Sequence, residues 1–296
     1  MRTSVRAPRG FGKGSRRDAA WRRGARAAGL LAFVPFLFLI LACAAPPAQN
    51  GNAATAATPL GAASPQQQAA SAGASAAQSV SEVGDVRVTA ITHASLQLEQ
   101  GGKVIHVDPT SAGDYSKAKQ ADLVLVTDIH QDHLDPAAIA KVRKAGAPVL
   151  APAAAADKIE GATVIANGET KTVAGVSVEA VPMYNLQRGP SAGQLFHTKG
   201  RGNGYVLTLG ARRVYVAGDT ECTPEMRALG NIDIAFIPMN LPYTMPPSEA
   251  AECVKAFRPK VVFPYHYRGQ SPEEFRAALK GEPVEVRLLE WYPPQR

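Results

Sequence analysis

Three cysteines in 296 residues are too few for a disulfide framework, so the chain is not one of the small secreted folds stapled by several bridges. It also lacks an apolar run of the roughly twenty residues that a membrane-spanning helix needs. The most apolar stretch, residues 30–43, falls short of that and is interrupted by Pro35. An excess of positive charge is missing too, once the N-terminus is set aside. The formal charge is +7, but residues 1–29 hold nine Lys/Arg against the single acid Asp18, leaving 23 basic and 24 acidic residues for the remainder. The basic character therefore belongs to the leader, and nucleic acid is excluded as a partner. No internal repeat is visible in the sequence.

What stands in the leader is a basic segment, then the uncharged run 30–43, then small residues, which is the order of a secretory signal rather than of a domain. Ile40-Leu41-Ala42-Cys43 resembles a bacterial lipobox. Residues 1–43 are thus expected to be a lipoprotein signal peptide, with Cys43 acylated and the protein lipid-anchored to a membrane of the cell envelope, facing the periplasm or the exterior. Ordinary cleavage near Ala42-Cys43-Ala44, or an uncleaved anchor, are the competing readings. Residues 44–82 are rich in Ala, Gln, Ser and Pro and almost devoid of large apolar side chains, which predicts a disordered tether unable to offset its ordering entropy. Residues 83–296 are long enough for one well-buried domain. Cys222 and Cys253 are left, and their spacing alone does not say whether they pair.

Within 83–296, β-rich runs come first, at Val86–Ile91, Ser95–Glu99, Lys103–Val107 and Leu123–Thr127, with Gly101-Gly102 as a hairpin signal. A helix is predicted at Pro136–Ala145, capped by Asp135. Strands then alternate with helices: strands at Pro148–Leu150, Thr163–Ala166, Val176–Val181, Gly204–Leu209, Arg213–Ala217, Ile234–Ile237, Val261–Pro264 and Val284–Leu289, helices at Pro224–Leu229, Ser248–Phe257 and Pro272–Leu279. The pattern suggests an α/β sandwich of two sheets between helices.

The stretch Thr127-Asp128-Ile129-His130-Gln131-Asp132-His133 follows an apolar strand and precedes a helix, so it places Asp128, His130, Asp132 and His133 on one loop at a strand's C-terminal end. Imidazole and carboxylate are ligands that a zinc-like ion prefers. Taken alone, the loop reads equally well as a solvated polar turn. Two distant segments, Gly218-Asp219-Thr220 and Pro264-Tyr265-His266-Tyr267, again put a metal-type side chain just past a strand.

With these segments, the chain resembles the metallo-β-lactamase superfamily, and within it the L-ascorbate-6-phosphate lactonase-like branch. Thr92-His93-Ala94-Ser95, Val107-Asp108-Pro109, Gly202-Asn203-Gly204-Tyr205-Val206 and Tyr243-Thr244-Met245 carry the same resemblance. It implies a four-layer αββα sandwich and a site for one or two divalent metal ions. Asp132, His133 and His266 would hold one ion, Asp219 would bridge, and His130 would bind the second. Asp128 stands where the family has the first histidine of its loop motif, and Tyr184-Asn185 falls where the family has another. His197 is the spare imidazole for that gap, either as ligand or as a substrate contact. A carboxylate in place of imidazole would make the second position harder and more anionic, favouring Mn²⁺ or Fe²⁺ relative to an all-imidazole site, with Zn²⁺ still able to bind. His93, Asp108, Asn185, Arg201 and Tyr243 are expected to orient ligands or to touch substrate. His106, inside a strand, and Cys222 are expected to be packing residues.

The expected reaction is hydrolysis of a small-molecule ester, lactone, amide or phosphodiester by a metal-activated hydroxide, with Asp132 or Asp219 as catalytic carboxylates. Lys199, Arg201 and Arg268, which flank the expected site, point toward a phosphodiester or phosphorylated lactone. The competing reading, suggested by Asp128 and the missing histidine near Asn185, is a non-catalytic metal- or ligand-binding lipoprotein with a degenerate site. A structural envelope factor is favoured by nothing specific.

Overall fold

The computed structural model describes residues 79–292. The predicted signal, the lipidation site Cys43 and all but the end of the predicted tether lie outside the described residues. The described chain forms two seven-stranded sheets. In the first, β1 (Val80–Val83), β2 (Val86–Thr92), β3 (Ser95–Gln100) and β4 (Lys103–Val107) run antiparallel. Parallel strands β5 (Leu123–Leu125), β6 (Val149–Ala151) and β7 (Ala162–Val164) then follow. The second sheet repeats the pattern. β8 (Thr170–Val173), β9 (Val176–Met183), β10 (Gly202–Leu209) and β11 (Arg212–Val216) are antiparallel, and β12 (Ile234–Pro238), β13 (Val261–Tyr265) and β14 (Glu285–Val286) are parallel.

The strand alternation of period two decides which layer each side chain joins. Leu123 and Leu125 point into the core between the sheets with Leu96, Leu98, Leu207 and Phe236, while Val124 and Val126 face outward. There they pack under α1 (Pro136–Val142) and α2 (Ala153–Ala156). On the other side, Ala235 and Ile237 meet α4 (Pro247–Phe257) together with residues of α3 (Pro224–Arg227) and α5 (Pro272–Ala278). Helices, sheet, sheet and helices thus make four layers. Trp291 is fully buried in the central core against Phe236 and Tyr265, at ring-centroid distances of 6.3 and 5.7 Å. Emptying such a site costs about 3–5 kcal/mol, so Trp291 anchors the C-terminal segment firmly.

Several boundaries differ from expectation. The segment read as tether to residue 82 already holds β1, because an edge strand needs only backbone partners and Ser81 and Glu82 pair with Val88 and Arg87. α1 stops at Val142, since Arg143 turns to extended backbone and bridges to Ala121. The last strand is Glu285–Val286 alone, shorter than the predicted Val284–Leu289; the Arg287 amide still donates to the Val262 carbonyl, and its side chain binds Ser81 and the Glu82 carbonyl. α2 and β8 had no strong sequence pattern. Cys222 and Cys253 are joined as a disulfide with their Cα atoms 5.6 Å apart, which takes Cys222 away from the metal-type residues. His106 is fully buried and its Nε2 meets the Lys119 carbonyl, a packing role as expected.

Candidate metal centre

Loops leaving the strand ends of both sheets converge on one cavity of about 630 Å³. Three of these ends hold unusual backbone. His93 at the β2–β3 turn, Asp108 after β4 and His266 after β13 have φ of 46, 45 and 48°, in the left-handed region that side chains rarely adopt. The His266 amide donates to the His93 carbonyl, and the His93 amide donates to the Trp291 carbonyl. Neighbouring contacts therefore hold these turns in place. Gly218 (φ 67°) makes the turn that aims Asp219, and a Cβ there would collide with Met183 and crowd Thr127.

Two groups of donors meet at the cavity floor. Asp132, His133, Asp219 and His266 form the first, and Asp128, His130 and His197 the second, with the donor atoms of each group within 4.8 Å of one another. In the first, His133 Nε2 lies 3.4 Å from Asp219 Oδ2, and His266 Nε2 lies 3.3 Å from both Asp219 Oδ1 and Asp132 Oδ2. In the second, His130 Nδ1 is 2.8 Å and His197 Nε2 3.8 Å from Asp128 Oδ2. His197 Nε2 is also 3.4 Å from Asp219 Oδ2, so Asp219 stands between the two groups. His197, the spare imidazole, thus stands beside Asn185 with its Nε2 in the second donor group.

The residues expected to orient ligands sit behind them. Asp108, buried, takes His133 Nδ1 at 2.8 Å and accepts from the Thr127 amide and hydroxyl. Asn185 Oδ1 lies 2.7 Å from His197 Nδ1, and its amide group donates to Glu221 and to the Tyr243 carbonyl. Fixing the rear nitrogen in this way sets the ring orientation and leaves the other nitrogen to face the centre. His93 Nε2 lies 3.2 Å from Asp132 Oδ2, and its Nδ1 lies 2.7 Å from the Tyr292 hydroxyl.

The donor set fits a divalent ion. His133 Nε2, His197 Nε2 and Asp219 Oδ1 are buried yet have no hydrogen-bond partner, and all three point into the centre. The protonation balance says the same. Burial opposes charge on His133, but Asp219 and Asp108 outweigh it and hold the imidazole well above its usual pKa. Burial likewise opposes the Asp219 carboxylate, which His266 and His133 hold well below its usual range. The cluster demands positive charge at its middle, which a dication supplies.

Two expectations about charge are corrected. Of the two roles expected of Arg201, the structure fits the ligand-orienting one and not the phosphate contact: its Nη2 and Nε pair with Asp128 at 3.1 and 3.3 Å, and it is not among the cavity's lining residues. Burial resists the Asp128 charge, yet His130, His133, His197 and Arg201 bring its pKa down to about 2. The extra carboxylate is therefore offset locally, and the second position is not more anionic by a full charge. Lys199 is bound to Glu225 at 2.5 Å, outside the cavity lining. Among the described residues that line the cavity, Arg268 alone carries a permanent positive charge. Phe196, Leu241, Pro242 and Tyr243 make an apolar wall of the same cavity, with Phe196 and Tyr243 in edge-to-face contact at 5.0 Å. Tyr243 is 45% exposed there.

Tyr292 and Glu221 were not legible as site residues. Tyr292 lies 199 positions from His93, and no local pattern links them. Glu221 is buried and accepts from the amides of Leu186, Gln187 and Arg188, pinning the loop that carries Asn185.

Comparison with known proteins agrees with this geometry. A family model described as a β-lactamase superfamily domain matches residues 87–266. A UPF0173 metal-dependent hydrolase of Thermococcus kodakarensis is 34% identical over 224 residues, covering 69% of this chain and 96% of the relative. One from Methanopyrus kandleri is 32% identical over 225 residues, with 69% and 97% covered. Among solved structures, a protein of Parabacteroides distasonis described as a metal-dependent hydrolase is similar at 42% identity and a TM-score of 0.66, over 70% of this chain and 94% of that one. The metallo hydrolase Igni18 of Ignicoccus hospitalis is similar at 26% identity and a TM-score of 0.57, over 69% and 95%.

Proposed function

The chain belongs to the metallo-β-lactamase superfamily and is a homologue of the UPF0173 metal-dependent hydrolases, and on that premise we propose that it hydrolyses an ester or lactone that carries an apolar group. One observation carries the reading: two donor groups, with Asp219 of the first 3.4 Å from His197 of the second, open onto a cavity that is also lined by apolar residues. A divalent ion bound to the donors would supply Lewis acidity, polarising the scissile carbonyl and making a water nucleophilic at neutral pH.

The chain's own residues do the rest. Asp132 lies at the floor of the cavity with its side chain 45% exposed, so it can accept a hydrogen bond from the attacking water and orient it. Burial, the largest influence, lowers the pKa of His93 and favours the neutral ring. A Tyr292 hydroxyl donating to Nδ1 leaves the ring proton on Nε2, aimed at Asp132. Burial also raises the Tyr292 pKa, which keeps that hydroxyl protonated. Asp132 and Asp219 are the carboxylates within reach of a leaving oxygen. Phe196, Leu241 and Tyr243 remove water from the apolar part of the substrate.

The lactonase-like branch enters this proposal through the reaction, the opening of a lactone or ester, and not through a phosphorylated substrate. Lys199 and Arg201 are occupied by carboxylates, which leaves Arg268 as the cavity's cation for an anionic group. Anchoring to the cell envelope through Cys43 belongs to the same proposal, supported by the lipobox-like residues 40–43.

The test is metal analysis of the purified protein beside turnover of p-nitrophenyl acyl esters, aliphatic lactones and bis-p-nitrophenyl phosphate. Ester or lactone turnover that chelator removes and Zn²⁺ or Mn²⁺ restores is expected. Turnover of the phosphodiester alone would reject the substrate reading, and no bound metal would reject the hydrolase reading itself.

A further inference from the structure

The first donor group carries two carboxylates, Asp132 and Asp219, and two imidazoles. The second carries one carboxylate and two imidazoles, and its carboxylate is already paired. Arg201 grips Asp128 with both arms of its fork, Nε to Oδ1 at 3.3 Å and Nη2 to Oδ2 at 3.1 Å. Oδ2 is also the oxygen that meets His130 Nδ1 at 2.8 Å and faces His197 Nε2. Arg201 therefore reaches the same oxygen that a second ion would use.

This contact is built into the fold. The Asn203 amide donates to the Thr127 carbonyl at 2.8 Å, tying the start of β10 to the residue before Asp128. The Arg201 amide donates to the Thr198 carbonyl, closing the turn that presents the side chain. Asp128 is fully buried and the Arg201 side chain is 24% exposed, so solvent screens the pair only in part.

We propose that Arg201 sets the affinity of the second metal position, keeping it weak so that the first position fills before it. With neutral imidazoles, Asp128 and Arg201 cancel, so the second group has only the carboxylate of Asp219 that stands between the groups, whereas the first has Asp132 in addition to Asp219. A fixed cation beside a bound dication also repels it directly. The hardness expected from a carboxylate ligand is thus present without the added affinity that its charge would bring.

The inference rests on the metal-centre reading above, and its test separates the two. Metal-stripped full-length protein is titrated with Mn²⁺, and free ion is followed by electron paramagnetic resonance. The wild type should show one tight and one weak class of site. Arg201→Gln should tighten the weak class by at least about tenfold, near 1.4 kcal/mol, and leave the tight class within about threefold. Arg201→Lys keeps the charge and should leave both classes close to wild type. A weak class that is unchanged or weaker in Arg201→Gln, or tightened equally in Arg201→Lys, overturns the proposal. Should Arg201→Gln lose both classes through misfolding, Asp128→Asn decides: a site left with the uncompensated arginine should lose the weak class alone, and survival of that class overturns the proposal. Absence of any tight class in the wild type rejects the metal centre instead.

Discussion

Strands β1–β7 and β8–β14 follow one pattern, four antiparallel and then parallel, yet equivalent strand ends in the two halves carry different residues. The end of β4 presents Asp108, which is buried against His133 and Thr127, while the end of β11 presents Asp219 to the metal centre. The loop after β5 holds Asp128, His130, Asp132 and His133, whereas the loop after β12 holds Leu241, Pro242 and Tyr243 of the apolar wall. The end of β6 turns into α2, but the end of β13 supplies His266. One scaffold, used twice, thus gives metal-type donors in one half and both donors and an apolar wall in the other. Neither half is a site alone, because each donor group draws ligands from both.

The largest effect should come from removing a donor from either half. His133→Ala and His266→Ala are each expected to lose the tightly held ion and lower hydrolysis by roughly 10³-fold, since several kcal/mol of charge stabilisation go with the ion. Metal per chain by mass spectrometry, with turnover measured beside it, checks this. Unchanged metal content in one variant would show that its half does not hold the ion, and the shared-site account would fail.

A smaller effect is expected one contact further out, where Asp108 and Asp219 diverge in role. Asp108→Asn keeps the shape but weakens the grip on His133 Nδ1, so metal affinity should fall about 10–100-fold. Asp219→Asn should fall further, because a donor itself is altered. Competition with a chelator of known affinity measures both. Equal losses would make Asp108 as close to the ion as Asp219, contrary to its place behind His133.

The smallest effect tests the C-terminal contribution to the first half's turn. Tyr292→Phe removes the hydroxyl from His93 Nδ1 while keeping the ring beside Tyr267 and Arg268. One hydrogen bond of about 1 kcal/mol corresponds to roughly fivefold in kcat, with metal content unchanged. A loss of metal in this variant would assign Tyr292 to holding the fold of the centre rather than to Asp132.

Legibility in the sequence followed locality. The loop 128–133 could be read because its donors fall within six positions behind an apolar strand, and strands with period-two burial could be placed within a few residues. The elements that escaped, β1, α2 and β8, are short or lie at edges, where few apolar side chains mark them. In the sequence, Lys199 and Arg201 point toward a phosphorylated substrate, with Arg201 also open as a ligand-orienting residue, because charge type is visible in a sequence and its partner is not.

By itself, then, the sequence determined the two-sheet periodicity and the inventory of imidazoles and carboxylates at strand ends, since both are set by neighbouring residues and by backbone geometry. Only the tertiary structure decided that Arg201 neutralises Asp128 across 73 positions, that Asn185 turns His197 toward the centre, and that Tyr292 reaches His93. The last two contacts fix which nitrogen of a ring faces the centre, and the first sets how much charge a carboxylate retains. Both properties depend on groups brought close by packing, and pairing energies that act over a few ångströms leave no period in the chain.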